Sequence, residues 1–357
     1  MTKATGGESR RLDMTGGASR RSILIGGGAV ALAAPAFIGK GIAQGQVNWR
    51  VQSHWPTASA SFGDSLRVLA QQLEERTDGA FKMQLFGAGE FARGAEIFNI
   101  VRRGVVQMGT GSAGYFQDQA QTASFNLGLP GGLREPWEMQ HLVSNLGLED
   151  LLNEELAPDG VIYKAEKVYP TEVVLSRQIS NLDDFRTLKI RSSGAMLDFL
   201  NLAGAAPQFV EGSELYQALA TGVVDGAHWG AALGAKSMSL WEVCKYHMRP
   251  ALGFTTDCWL FNARAVEDLG DELGKELMAL VEERFHRRSL EYSHQEAVAL
   301  TWGQAEEGVT VMQWPDDVKA RFAEESVKLI EQEGNKGPLA ATAADRLTGL
   351  MRDLGYT

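Results

Sequence analysis

Arg191 is the residue best placed by sequence to hold a small anion. It follows the apolar run Leu188-Lys189-Ile190 and precedes Ser192-Ser193-Gly194, a string suited to opening a helix. A forked guanidinium beside the free N–H groups of a helix start matches a carboxylate. The competing reading is a surface arginine paired with a nearby acid. Trp229 closes the stretch 211–229, EGSELYQALATGVVDGAHW, in which a helix from Ser213 to Thr221 feeds a short apolar strand. That strand delivers Asp225, His228 and Trp229 at its carboxyl end, where open α/β sheets bind ligands. Trp229 is therefore expected to form a pocket wall, against the plainer reading of a core tryptophan.

Other motifs exclude more than they support. Gly109-Thr110-Gly111-Ser112-Ala113-Gly114 matches G-x-G-x-x-G, but Tyr115-Phe116-Gln117-Asp118-Gln119 continues without helical spacing, so a dinucleotide site is not expected. A glycine-rich loop admitting a ligand, with Tyr115 beside it, fits better. The six histidines contain no HExxH pattern, and no G-x-S-x-G nucleophile turn occurs. No catalytic group and no metal-ligating set is assigned. Cys244 and Cys258 could bridge in an oxidising compartment, yet spacing alone leaves them paired or free.

The elements that must position these residues follow from periodicity. Trp49 and Val51 alternate as a first strand. Phe62, Leu66, Leu69 and Leu73 recur as a helix stopped at Asp78-Gly79, and Phe81, Met83 and Leu85 alternate again. A helix through Ile97 and Val101 ends at Gly104, before a strand Val105–Met108. The same order returns with strands at Leu188–Ile190, Pro207–Val210 and Val223–Ala227 around helices 195–203 and 213–221. Two such βαβαβ units imply an α/β protein of two lobes, each a mixed sheet flanked by helices. Residues 161–176 and 255–262 read as strands crossing between the lobes. The proline-free stretch 271–304 reads as one very long helix or two abutting ones, followed by helices after Pro315 and over the last 20 residues. The expected lobes are 47–171 with about 257–297, and 172–256 with about 298–357.

A chain of 357 residues with 34 basic and 45 acidic side chains, net charge −11, suits two lobes and disfavours nucleic acid as a partner. Residues 1–43 read as a twin-arginine export signal. Ser19-Arg20-Arg21-Ser22 precedes a glycine- and alanine-rich apolar segment that is too weak for a spanning helix, and small residues allow cleavage after Ala43. The expected location is the periplasm.

From Trp49 to Trp314 the chain resembles the periplasmic substrate-binding subunit of tripartite ATP-independent periplasmic (TRAP) transporters, in particular the 2-oxoacid-binding branch. The resemblance rests on Gly89-Glu90, on 104–109, on Leu182-Asp183-Asp184-Phe185 leading to Arg191, and on Tyr216-Gln217-Ala218-Leu219 leading through Gly222 and Asp225 to Trp229. It implies a two-lobed periplasmic-binding-protein fold with a long helix spanning both lobes. It also implies a carboxylate-binding role for Arg191, a ligand-side role for Trp229, and small and large integral-membrane permease subunits as partners. In that branch a cation bridges receptor and substrate through an acid immediately before the tryptophan. Here that position is His228, and the other two ligands fall at Pro170 and Leu252, which lack side-chain oxygens. Glu172, on the same strand face as Pro170, is the nearby substitute. The resulting expectation is a receptor for a small organic carboxylate without a cofactor, using Arg191, Trp229, His228, Tyr115, Trp55 and Glu172. The alternatives are an exported enzyme with His228 as base and a ligand-sensing subunit of a signalling system.

Overall fold

Two long antiparallel strands, β4 (Val161–Leu175) and β8 (Tyr246–Asn262), run side by side through the middle of the sheet. The computed structural model describes residues 46–356, so the paired arginines and the expected cleavage site lie outside the described residues. Before β4 come β1 (Val47–Gln52), α1 (Val68–Arg76), β2 (Phe81–Phe86), α2 (Ile97–Arg102) and β3 (Met108–Ser112), then the helices α3 (Ala123–Asn126), α4 (Pro136–Ser144) and α5 (Leu148–Leu156). Between β4 and β8 come α6 (Leu182–Arg186), β5 (Lys189–Ser192), α7 (Gly194–Ala203), β6 (Ala206–Phe209), α8 (Leu215–Ala220), β7 (Gly226–His228) and α9 (Ala232–Ser237). The chain finishes with α10 (Ala263–Glu267), α11 (Gly270–Glu306), β9 (Thr310–Gln313), α12 (Asp316–Gly334) and α13 (Pro338–Asp353).

Among the described residues the strands form one mixed sheet in the order β2-β1-β3-β8-β4-β7-β5-β6, with β9 also on β8. The first βαβαβ unit therefore lies on one flank of the β4–β8 pair and the second on the other. Each flank has its own core. Trp49, Leu66, Leu69, Leu73 and Phe81 pack with Leu273, Leu277 and Val281 of α11, whereas Leu215, Leu219 and Trp241 pack with Ala299 and Leu300 from its other end. At 37 residues and 1.5 Å rise each, α11 is ~55 Å long, enough to reach both.

Two strand assignments shift for a shared reason. After α2 and α8, Gly104 and Gly222 adopt φ of 68° and 72°, and Val105 and Val223 donate back to Ile100 and Ala218 five residues earlier. This glycine-capped helix end uses the valines as its closing residues. The strands predicted at Val105–Met108 and Val223–Ala227 consequently start at Met108 and Gly226. The crossing strand predicted from Thr255 begins at Tyr246, and β9 together with α3 to α5 lies where no element is read from the pattern.

Candidate functional site

Arg191 sits on β5, paired with Ala227 of β7 and Gln208 of β6, and is 2% exposed. Ser193 follows in extended conformation, and Gly194 starts α7 at φ 56°, where a Cβ would lie 2.6 Å from Gly114 Cα. That close approach places Ser193 and Tyr115 beside the guanidinium. Arg191 Nε donates to Val210 O at 2.9 Å, one terminal nitrogen to His228 O at 2.7 Å and the other to the Tyr115 hydroxyl at 3.2 Å. Its guanidinium carbon lies 5.1 Å from the Trp229 ring centre. Gly212 makes room for that indole: a Cβ there would be 2.3 Å from the ring. Of five N–H groups three are used, and among the described residues the guanidinium takes part in no ion pair. A buried cation with N–H groups to spare is the kind of group that an anion would satisfy.

The same cavity is also lined by Asp257, which is 3% exposed. Its Oδ2 accepts from Lys167 Nζ at 2.7 Å and from Trp55 Nε1 at 3.2 Å, and its Oδ1 from the Tyr169 hydroxyl at 2.8 Å. His54 Nε2 stands 3.6 Å from Oδ1. Burial alone would raise the Asp257 carboxyl, but Lys167 and His54 outweigh it and hold the group below the usual carboxylate range. Lys167, 1% exposed, also reaches Glu166 at 2.7 Å, and its Nζ lies 4.8 to 5.0 Å from the ring centres of Trp55, Tyr169 and Tyr292. The β4–β8 register explains the pairing. A bulge between Ala165 and Lys167 skips Glu166 and sets Lys167 opposite Asp257; unbroken alternation would have sent that lysine to the other face.

The cavity is about 50 Å³. Since one water needs roughly 10–15 Å³ on this measure, there is room for a molecule of only a few non-hydrogen atoms. Trp55, Tyr115, Arg191, His228 and Trp229 all line it, so five of the six residues singled out by sequence come together. His228 is buried, with Nδ1 3.2 Å from Ser192 Oγ and, among the described residues, no hydrogen bond to Nε2. Burial and then the Arg191 charge lower its pKa to about 3, so it is a neutral imidazole and a poor general base at ordinary pH.

Glu172 is the exception. It is the residue skipped at a second bulge, between Thr171 and Val173, and it turns to His247 at 2.5 Å and Arg249 at 2.9 Å, outside the cavity lining. The glycine string is also corrected. Residues 109–112 belong to β3, and its glycines admit protein rather than ligand, since a Cβ at Gly109 would meet Ile97 at 2.4 Å and one at Gly114 would meet Ser193 at 2.8 Å. Cys244 and Cys258 are free and buried. Lys167, Asp257, His54, Tyr169 and Tyr292 were not singled out by sequence. Lys167 and Asp257 beside the apolar runs Val168-Tyr169 and Cys258-Trp259-Leu260-Phe261 were the available signal, since buried charges need a reason.

The acidic groups nearest the cavity already have partners: Glu172 is bonded to His247 and Arg249, and Asp257 to the Lys167 ammonium. Among the described residues no three acidic, histidine or cysteine side chains converge as a metal site.

Residues 52–336 match the bacterial extracellular solute-binding proteins of family 7, DctP. A monocarboxylate 2-oxoacid-binding periplasmic protein of Nostoc sp. is 24% identical over 219 residues, 57% of this chain and 56% of the relative. The chain spans about half the length of the curated relatives it matches. A TRAP transporter solute-binding protein from Bordetella bronchiseptica, solved with calcium and picolinate, superposes with TM-score 0.81 at 21% identity, covering 87% of this chain and 93% of that one. One from Pseudoalteromonas atlantica, with bound sodium and pyruvate, gives TM-score 0.80 at 21% identity over 87% and 95%. At these identities the structural likeness shows the fold alone.

Proposed function

The chain belongs to family 7 of the bacterial extracellular solute-binding proteins, and from that premise we propose that it is the periplasmic receptor of a TRAP transporter, closing on a small monocarboxylate that it passes to the membrane permease. The observation that carries this reading is Arg191: a buried guanidinium, held by two backbone carbonyls and Tyr115, with two N–H groups left over at a cavity of about 50 Å³. A carboxylate supplies both the countercharge and two parallel acceptors. Trp229 supports the guanidinium from beneath, and Tyr115 and Trp55 complete the wall. The neutral His228 ring offers one polar contact, while Glu172 is engaged with His247 and Arg249. The relatives' names point the same way, as binders of 2-oxoacids, pyruvate and picolinate.

Two of those relatives were solved with calcium or sodium as well as a ligand. Here the ligand is held without one, because the positive charge near the carboxylate comes from Arg191, and Asp257 already has Lys167. The lobes divide as 47–171 with about 257–297, and 172–256 with about 298–357; closure bends β4, β8 and α11 where they pass between the flanks. Export uses the paired arginines, with processing after Ala43. Family members are receptors rather than enzymes, and a ligand is therefore released unchanged.

A thermal-shift screen tests the reading, comparing small 2-oxo, 2-hydroxy and cyclic monocarboxylates with neutral polyols. A ligand bound only by the native fold stabilises it by about 2.7 kcal/mol at a hundredfold excess over its dissociation constant. The expected result is a shift with one or more carboxylates, unchanged by chelator, with the ligand recovered intact. A shift confined to polyols, or consumption of the ligand, contradicts it.

A further inference from the structure

Beyond the carboxylate anchor, the part of the cavity lining around Asp257 has a polarity of its own. A carboxylate accepts about four hydrogen bonds. Asp257 Oδ2 already has two donors, Lys167 and Trp55, whereas Oδ1 has only Tyr169 within bonding distance. The remaining neighbour of Oδ1, His54 Nε2, is 3.6 Å away, beyond a hydrogen bond. One acceptor position on an ionised, buried carboxylate therefore stays open, and both residues line the cavity that also contains Arg191. We propose that the ligand brings a hydrogen-bond donor as well as its carboxylate, received between Asp257 Oδ1 and His54 Nε2, so that 2-hydroxy acids are preferred to 2-oxo acids of the same skeleton.

The two oxygens differ in what they can do. A hydroxyl can donate its proton to Asp257 Oδ1, the acceptor left open. A keto oxygen only accepts, and there it lies lone pair against lone pair with the carboxylate. Lys167 fixes the wall: its ammonium is bonded to both Glu166 and Asp257 and ringed by Trp55, Tyr169 and Tyr292, so it is a positioning residue that cannot swing into the cavity. It also stands where a bridging cation would be repelled. The discrimination is consequently made by protein groups alone.

This inference rests on the carboxylate reading, and one experiment separates the two. Isothermal titration in chelator-treated buffer compares lactate with pyruvate and 2-hydroxybutyrate with 2-oxobutyrate, on the wild-type protein and on Asp257→Asn. The hydroxy acid is expected to bind at least about tenfold more tightly in each pair, equivalent to ~1.4 kcal/mol, and the ratio should fall to within about threefold in the variant. If Asp257→Asn fails to fold, His54→Phe, which removes one side of the slot, should narrow the ratio instead. An oxo acid that binds as tightly as its partner, or a ratio that survives in the folded variant, overturns the inference alone. Binding of no member of either pair, with a shift for another carboxylate in the screen, overturns the inference alone; binding of no carboxylate at all overturns the carboxylate reading with it.

Discussion

Replacing Arg191 by alanine should abolish most of the affinity while leaving the fold standing. Two N–H groups of the guanidinium remain for the ligand, and hydrogen bonds to charged groups contribute about 1.5–3 kcal/mol each. Their loss amounts to about 3–6 kcal/mol, or roughly 10²- to 10⁴-fold in dissociation constant. In the ligand-free protein the balance differs. The substitution strands Val210 O and His228 O, each at a cost of about 1–3 kcal/mol if no water replaces the donor, but it also removes a buried cation without an anionic partner. These terms oppose each other, so the apparent melting temperature should move much less than the affinity. Arg191→Lys keeps the charge but loses the fork, because one ammonium cannot serve Val210, His228, Tyr115 and a ligand together; an intermediate loss is expected. Titration calorimetry with the best carboxylate of the screen, run beside thermal melts, separates the two effects. Unchanged affinity in Arg191→Ala would refute the anchor.

The remaining predictions concern the groups around it. Lys167→Met leaves Glu166 and Asp257 facing each other in the interior, at a cost of about 3–5 kcal/mol, and calcium should restore part of the melting temperature in the variant but not in the wild type. Gly212→Ala puts a Cβ 2.3 Å from the Trp229 ring and should weaken ligand binding by about tenfold through displacement of the indole, as read by tryptophan fluorescence titration. Glu296, on α11, has its pKa raised to about 8 by burial and then by Glu172, and its Oε2 has no partner among the described residues. The native state keeps a proton that the unfolded chain loses above about pH 4.5, so stability should fall between about pH 4.5 and 8, by up to ~1.4 kcal/mol per unit from this group. Glu296→Gln should flatten that slope in urea titrations at pH 5 and pH 8.

Legibility of the sequence differed by the kind of physics involved. Long periodic patterns were reliable: the proline-free stretch from Asp271 became α11, and the Phe62–Leu73 spacing became a helix. The positions of β3 and β7 were misjudged because Val105 and Val223 are as suitable for a glycine-capped helix end as for a strand, and only backbone geometry tells them apart. At the site, Arg191, Trp229, His228, Tyr115 and Trp55 were readable from residue type and place along the chain. Glu172 was assigned to the ligand face by strict alternation, which the bulge beside it breaks. Lys167 and Asp257 were missed for the related reason that their pairing depends on a register across 90 residues of chain, set by another bulge. Bulges leave no signature in a single sequence comparable to a capping glycine.

The central claim is that a small carboxylate is recognised by the Arg191 charge without a metal ion. Its most direct test is calorimetric titration of the wild-type protein with the tightest-binding acid and with the primary amide of that acid, each in the presence and absence of chelator. The amide keeps the size and shape but removes the negative charge. The acid is expected to bind equally with or without chelator, and the amide to be weaker by about a hundredfold or more. Equal binding of acid and amide, or loss of acid binding on chelation, would contradict it.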